Sequence, residues 1–566
     1  MPEDTFVLIA GGGPVGLSAA IELGARRIPV ILVTENPDTA AHPKCNNTNA
    51  RSMEHFRRLG LADEIRRHGM PPGMPAASAY VTRFCGYELG RSFRPYATDQ
   101  RAPARDTDWQ TPELPQTISQ IRLEPVLKAA AERQPTVDLR FGHRLLSLEV
   151  AGEASGEATG DSVLARVQDV AGGGEQMIRA RYLLGADGAR SPVRKHLGIG
   201  MAGEDGTTDR AFMGGTMLSY FIRAPGLVAA SGREPARVNW IINHEVRGFL
   251  YSQDGDALWI AHYQVPPATD WRAVDPHAVI RAMLGTNLPF EIISGGPWTG
   301  GLALVADRYS EGPVFLAGDA AHLFTPLGGL GMNTGIGDAM NLCWKLAAMH
   351  DGWGGPHLLD SYGVERRPIG QRNAQLGVFI AKRMSAWRIP DDVEQPGDAA
   401  QAARDAFGAF IVEDDRPQYQ TAGLQLGERY EASPVIHGDG TPAPPDDWAN
   451  DWARYRPLDR PGARAPHVAL ADGRALYDLF GPGFTLLDLA GDTDTAALEA
   501  AARARTMPLS VIRPGIHPGI HPGMPPDTPY RSRLVLVRPD QHIAWHGDTV
   551  PADPAALLDI LRGAAR

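Results

Sequence analysis

Residues 5–16 restrict the possible folds of this 566-residue chain more than any other stretch. Thr5–Ala10 is an apolar run short enough to form a buried strand. Gly11-Gly12-Gly13-Pro14-Val15-Gly16 follows at once, and Leu17–Gly24 then reads as a helix. In that order the first glycine permits the tight turn, the second admits a pyrophosphate, and the third lets helix and strand pack closely. A second strand, Pro29–Thr34, ends in Glu35. A carboxylate there accepts hydrogen bonds from ribose hydroxyls and disfavours a 2′-phosphate. These features together predict a Rossmann-type α/β unit that holds an ADP-containing cofactor through Gly11, Gly13, Pro14, Val15, Gly16 and Glu35.

The stretch Pro313–Leu346 has the same strand–loop–helix logic further along the chain. Val314–Ala317 is a short apolar strand, and Gly318-Asp319 closes it with a carboxylate suited to a sugar or ribityl hydroxyl. A loop with Pro326, Gly328, Gly329 and Gly331 leads into an apolar, Ala-rich helix beginning at Met332-Asn333. Glycines let backbone approach a ligand, and a helix start offers free N–H groups and a positive dipole end. An ordinary strand–loop–helix corner is the alternative for this stretch taken alone.

A third motif, YLLGADGARSPVR at Tyr182–Arg194, places Asp187-Gly188 behind another apolar strand. With these three motifs in this order, the chain resembles the flavoprotein aromatic hydroxylases of the p-hydroxybenzoate hydroxylase fold. The likeness extends over about residues 1–380. Leu426–Tyr430 (LGERY) and Pro461–Asp488 add a likeness to the phenol-hydroxylase branch, which includes chlorophenol monooxygenases. The resemblance implies an α/β protein: a Rossmann-type FAD-binding domain, a β-sheet substrate domain and a C-terminal thioredoxin-like α/β domain. The expected boundaries are 1–195 for the FAD domain, 196–310 for the substrate sheet and 311–390 for the return to the FAD domain. A helical or linker region is expected over 391–460, and the tail over 461–566.

The resemblance also implies roles for single residues. Lys44 and Arg51 match basic positions that meet FAD, with a solvated loop charge as the alternative for each. Gln120 matches a glutamine bonded to the flavin side chain, or else it is a helix cap. Asp187 should tie the flavin-binding loops together, and Asp319 should contact the ribityl chain. Met332 and Asn333 should meet the flavin ring, Gly329 and Gly331 should line the cofactor site with Pro326, and the Pro326 carbonyl should also lie near the substrate. Met213, Tyr220, Trp240 and Tyr263 are candidates for the substrate cavity, although apolar alternation alone reads as core. For catalysis the candidates are Asn46, Arg237, His322 and Pro326. Asn46 stands where the branch often places a histidine that assists phenol deprotonation, and an amide takes no proton at neutral pH. For His322, structural support of the loop is the simpler reading, and a lone Arg237 reads as surface.

Residues 71–118 are Pro/Gly-rich and without clear periodicity, which suggests loops. Strands are expected at Phe212–Ile222, Val238–Ile242, Phe249–Ser252 and Leu258–Tyr263. In the tail, strands are expected at His467–Leu470, Phe484–Leu489, Leu509–Ile512 and Arg533–Arg538, alternating with helices. No cysteine follows Cys343, so dithiol chemistry is excluded there, and the expected role is dimer contact or stability. His517 and His521 in GIHPGIHPG read as a solvated loop rather than a metal site.

The charge of −11 argues against nucleic acid or an anionic membrane as partner. No run of eighteen apolar residues or basic leader is present, so a cytoplasmic protein is expected. The three cysteines lie far apart, without a metal-binding spacing. The reading is an FAD-dependent monooxygenase that consumes NADPH or NADH and O2. It would transfer one oxygen, through a flavin C4a-hydroperoxide, to a small phenolic or related aromatic substrate. The alternatives are Baeyer–Villiger or epoxidising oxygenation of a ketone or polycyclic substrate, an NAD-dependent dehydrogenase, and a flavin-binding scaffold without turnover.

Overall fold

The structure is a computed structural model. It describes residues 3–565 except 72, 94–108, 152–161, 206–215, 267–268, 299–301, 431, 443–451, 471 and 514–528. Met213 and the two histidines of GIHPGIHPG lie outside the described residues.

The glycine turn sits at the centre of the largest sheet, which has eight strands. Glu3–Ala10 pairs in parallel with Val30–Thr34 on one side and with Glu175–Gly185 on the other. Val314–Leu316 and Val137–Phe141 extend the sheet, again in parallel. Val30–Thr34 is buried along its whole length, as expected of a strand covered on both faces. The helix Pro14–Ala25 starts with proline in its first turn and lies against the helix Gly331–His350. A Cβ added at Gly11 (φ 118°) would collide with the Ala186 carbonyl, and one at Gly16 with the Gly11 carbonyl. The first turn and the Asp187-Gly188 turn can therefore meet only through glycine.

The substrate sheet has seven strands, in the order Glu291–Trp298, Met217–Arg223, Leu258–Gln264, Arg247–Ser252, Val238–Ile242, Ala77–Val81 and Glu88–Phe93. The last two correct the expectation that 71–118 is only loop. Ala77–Val81 is buried at every position, so it has no polar–apolar alternation to reveal it. One face of this sheet packs Leu218, Tyr220, Ile222 and Tyr263 against the helix Pro276–Leu284. The other carries Met217, Val238, Trp240 and Phe249 toward Leu327, Leu330 and the long helix Ser361–Ser385.

The tail sheet runs Leu509–Ile512, Phe484–Asp488, Leu534–Val537, Ile543–Gly547. The first pair is parallel and the next two are antiparallel, and the helices Ala496–Ala504 and Pro554–Leu561 pack with it. This is thioredoxin-like topology. Two details differ from expectation: His467–Leu470 forms no strand and contributes only the bridge Ala469↔Ala475, while Ile543–Gly547 supplies the fourth strand. Among the described residues no helix is long and apolar enough to cross a membrane.

Candidate active site

A cavity of about 400 Å3 opens between the carboxyl ends of the first sheet and the second face of the substrate sheet. In open α/β sheets ligands bind at such strand ends. Gly13, Pro14 and Val15 form one end of the cavity, and a Cβ at Gly13 would meet nothing within 4 Å. The adjoining helix has no side-chain cap and no acidic residue in its first turn, so its N–H groups and dipole remain available to an anion. Lys44 lies on the same wall.

Gly318 adopts φ 60°, which swings Asp319 into the cavity next to Lys44. The Asp319 carboxylate has no hydrogen-bond partner among the described residues and lines the cavity. Desolvation by the surrounding protein raises its pKa, with His322 and Lys44 opposing the rise. The loop 326–331 needs positive φ at Gly328 and Gly329, and it delivers Gly331 and Met332 to the cavity at an uncapped helix start. An open glycine turn, a carboxylate awaiting hydroxyl donors and two uncapped helix starts fit the pyrophosphate, ribityl chain and ring edge of FAD.

Other expected contacts are placed differently. Asn333 does not line the cavity: its amide donates to the Asn47 and Gly329 carbonyls (2.9 and 2.8 Å) and accepts from the Asn49 N–H and the Ser52 hydroxyl (both 2.8 Å). With those four bonds the side chain pins the loop to the start of the helix Ala50–Arg58. Arg51 is also displaced. It is buried on the far side of that helix against Glu54, Gln541 and the Asp540 carbonyl, and so holds the tail rather than a phosphate. Glu35 ends its strand as expected, but it is paired with Arg144 at 2.9 Å in a solvent-exposed contact and does not line the cavity. Gln120 lines the cavity and donates to Glu124 (2.5 Å). Asp187 accepts from the Val193 N–H (3.0 Å), bracing the turn that presents Ala186 and Gly188.

Of the catalytic candidates, Asn46 and Pro326 line the cavity. The Asn46 amide oxygen is buried without a hydrogen-bond partner. Arg237 is neither surface nor cavity: it is 2% exposed and donates to Thr117 (2.7 Å) and the Met74 carbonyl (3.1 Å). His322 is fully buried outside the cavity, its Nε2 at 2.7 Å from Asp338. Burial works to raise the Asp338 carboxyl, but His322 and Arg366 prevail and hold it below the ordinary carboxylate value. Asp338 in turn accepts from the Gly318 N–H (3.1 Å), so His322 supports the loop that aims Asp319.

Of the aromatic candidates in the described residues, only Trp240 reaches the cavity. Tyr220 and Tyr263 stack on each other on the opposite face, 6.0 Å between centroids, and belong to the core under the sheet. Reading the sequence missed Phe249, Tyr251, His262 and Trp298, which form the aromatic wall with Trp240. Contacts of 4.6 to 4.8 Å between ring centroids run Trp240–Phe249–His262–Trp298. Each such ring pair contributes about 0.5–1.5 kcal/mol beyond its burial. Their shared face depends on strand register, which no local motif reveals. Gln418, Tyr419, Thr421 and Gln425, from the region 391–460, form the opposite wall. Tyr419 accepts from the Trp240 indole N–H at 2.7 Å. No sequence signal marked them.

Comparison with known proteins agrees with this geometry. The family described as "FAD binding domain" matches residues 4–376, and "Aromatic-ring hydroxylase, C-terminal" matches 459–564. The 4-methyl-5-nitrocatechol 5-monooxygenase of Burkholderia sp. is 31% identical, over 98% of this chain and 96% of its own length. Phenol 2-monooxygenase of a Pseudomonas species is 30% identical, over 99% and 93%. Among solved structures, the rebeccamycin biosynthetic enzyme RebC with reduced flavin superposes with a TM-score of 0.86 at 33% identity, with full coverage of both chains. The flavin-dependent monooxygenase PieE, in complex with FAD and substrate, gives 0.87 at 29%, again with full coverage. The chain belongs to the FAD-dependent aromatic-ring hydroxylases, and it is a flavoprotein monooxygenase.

Proposed function

We propose that this monooxygenase takes its electrons from NADPH or NADH and places one oxygen atom of O2 on the ring of a phenolic substrate. The observation that carries the reading is the cavity itself, where a backbone-lined cradle for FAD faces a wall of aromatic rings from the substrate sheet. Relatives that act on phenol and on a nitrocatechol support the substrate class.

FAD, when bound, supplies the electron relay and the activation of O2. The residues have narrower tasks. Asp319 would accept hydrogen bonds from the ribityl hydroxyls and so fix the depth of the ring. The N–H groups at Gly331 and Met332 would stabilise negative charge on the ring edge. Trp240, Phe249 and Trp298 would hold the substrate flat and exclude water from the reacting atoms. Asn46 can orient a substrate oxygen through its amide but cannot remove its proton.

The test is oxidation of NADPH and of NADH by the yellow protein in the presence of a panel of phenols and ketones, with mass analysis of the products. Stimulated oxidation with one oxygen added to a phenol is the expected result. Oxygen added only to ketones, or oxidation without any product, would refute it.

A further inference from the structure

His262 is the imidazole of the aromatic wall, and among the described residues no hydrogen bond engages it. The ring is 8% exposed and lines the cavity, and its Nδ1 is buried without a hydrogen-bond partner. With Nδ1 enclosed by protein, Nε2 is the nitrogen left to meet a ligand in the cavity.

Among the described residues its surroundings offer no partner. Strand register places Ser219 and Phe249 directly opposite His262 on its two flanking strands. Phe249 presents only carbon, and the Ser219 hydroxyl is engaged by Nε2 of His42 at 3.0 Å. On the third side stands Trp298, whose ring centre is 4.8 Å away. Burial among these rings, with a smaller contribution from His42, pushes the pKa of His262 down to about 3. The imidazole therefore stays neutral at working pH, with one N–H donor and one acceptor nitrogen. Such a ring can accept from a phenol O–H or donate to a phenolate oxygen. It is too weakly basic to take the proton itself.

We propose that His262 is the specificity-determining contact of the substrate half of the cavity, pairing with a ring hydroxyl of the aromatic substrate. This rests on the phenolic reading above and adds a residue to it. The apolar wall accepts any flat ring, whereas the imidazole selects those that carry a hydroxyl beside it. A buried site built to pair with a hydroxyl rejects analogues that lack it, because its own polar atom is then left unpaired.

The experiment uses FAD-loaded wild-type protein and two variants, His262→Phe and His262→Gln. Phenylalanine preserves the packing with Phe249 and Trp298, and glutamine restores a donor and an acceptor. Dissociation constants for 1-naphthol and for 1-methoxynaphthalene are read from perturbation of the flavin absorbance. The wild type should bind 1-naphthol about tenfold more tightly, the factor one hydrogen bond supplies. His262→Phe should bind the two alike at unchanged flavin content, and His262→Gln should recover part of the preference. Preference that persists in His262→Phe would overturn the assignment while leaving the phenolic reading in place. A wild type that does not distinguish the two compounds would overturn both.

Discussion

The two halves of the cavity are built by different means. The cofactor half is mostly backbone: Gly13 of the first turn, uncapped helix starts at Pro14 and Gly331, and, among the described residues, the single carboxylate of Asp319. The substrate half is almost entirely side chain, with Trp240, Phe249, His262 and Trp298 facing Gln418, Tyr419, Thr421 and Gln425. Backbone can serve one ligand only, because its groups are fixed by the fold. Side chains on a sheet can be exchanged without altering the sheet. The first half therefore defines the chemistry and the second half selects the substrate.

The halves also differ in how they are supported. Behind the cofactor half, the helix Ala50–Arg58 is held by buried charge: Glu54 is paired with both Arg51 and Arg464, the latter from the tail side of the chain. The substrate sheet rests on apolar packing. Loss of charge should therefore weaken the cofactor side first. Burial raises the Glu54 pKa, but Arg464 and Arg51 prevail and hold the carboxyl at about 2. That lies below its value in the unfolded chain, so the stabilisation is complete above about pH 4.5 and drains away as pH falls toward 2. Its size is about 3 kcal/mol. Glu54→Gln should lower the melting temperature at pH 7 and shrink the further fall seen on acidification to pH 3. An unchanged melting temperature would show that the helix is held by packing alone.

A smaller effect is expected inside the cofactor half. Asp319→Ala removes the carboxylate that lines the cavity among the described residues and should weaken FAD binding tenfold or more, on the order of 1.5–3 kcal/mol for bonds to a charged acceptor. The absorbance ratio of flavin to protein after gel filtration reads this directly. A variant that elutes fully yellow would sink the role given to Asp319, and with it the idea that one side chain completes a backbone site.

The smallest effect belongs to Glu35. It is more than half exposed and shares its carboxylate with Arg144, so its contribution is screened by solvent. Glu35→Ala should weaken FAD binding only a few-fold, measured by flavin fluorescence titration. A loss as large as that of Asp319→Ala would move the ribose contact to the centre of the site.

Local sequence carried most of the cofactor half. The turn from Ala10 to Gly16 is written in consecutive residues, because each glycine answers to a neighbour only a few positions away or to a strand beside it. Asp319 and the glycines before Met332 were legible for the same reason. The fold class followed from these motifs. The strands Val238–Ile242 and Leu258–Gln264 followed from their own apolar pattern, with ends shifted by a residue at most.

The rest depended on long-range packing. Tyr220 and Trp240 look alike as aromatic residues in strands, yet the register of the sheet sends one to the core and the other to the cavity. Arg51 sits one turn from the flavin loop, but the tail captures it through Asp540 and Gln541, partners nearly five hundred residues away. The four polar residues 418–425 reach the cavity through long-range contacts: Tyr419 bonds to Trp240, and Gln425 accepts from the Ala50 N–H. Sequence by itself determined where a cofactor can approach the backbone, since that is a matter of local φ and of absent side chains. Tertiary structure alone decided which side chains surround the substrate, since a strand has two faces and only its partners choose between them.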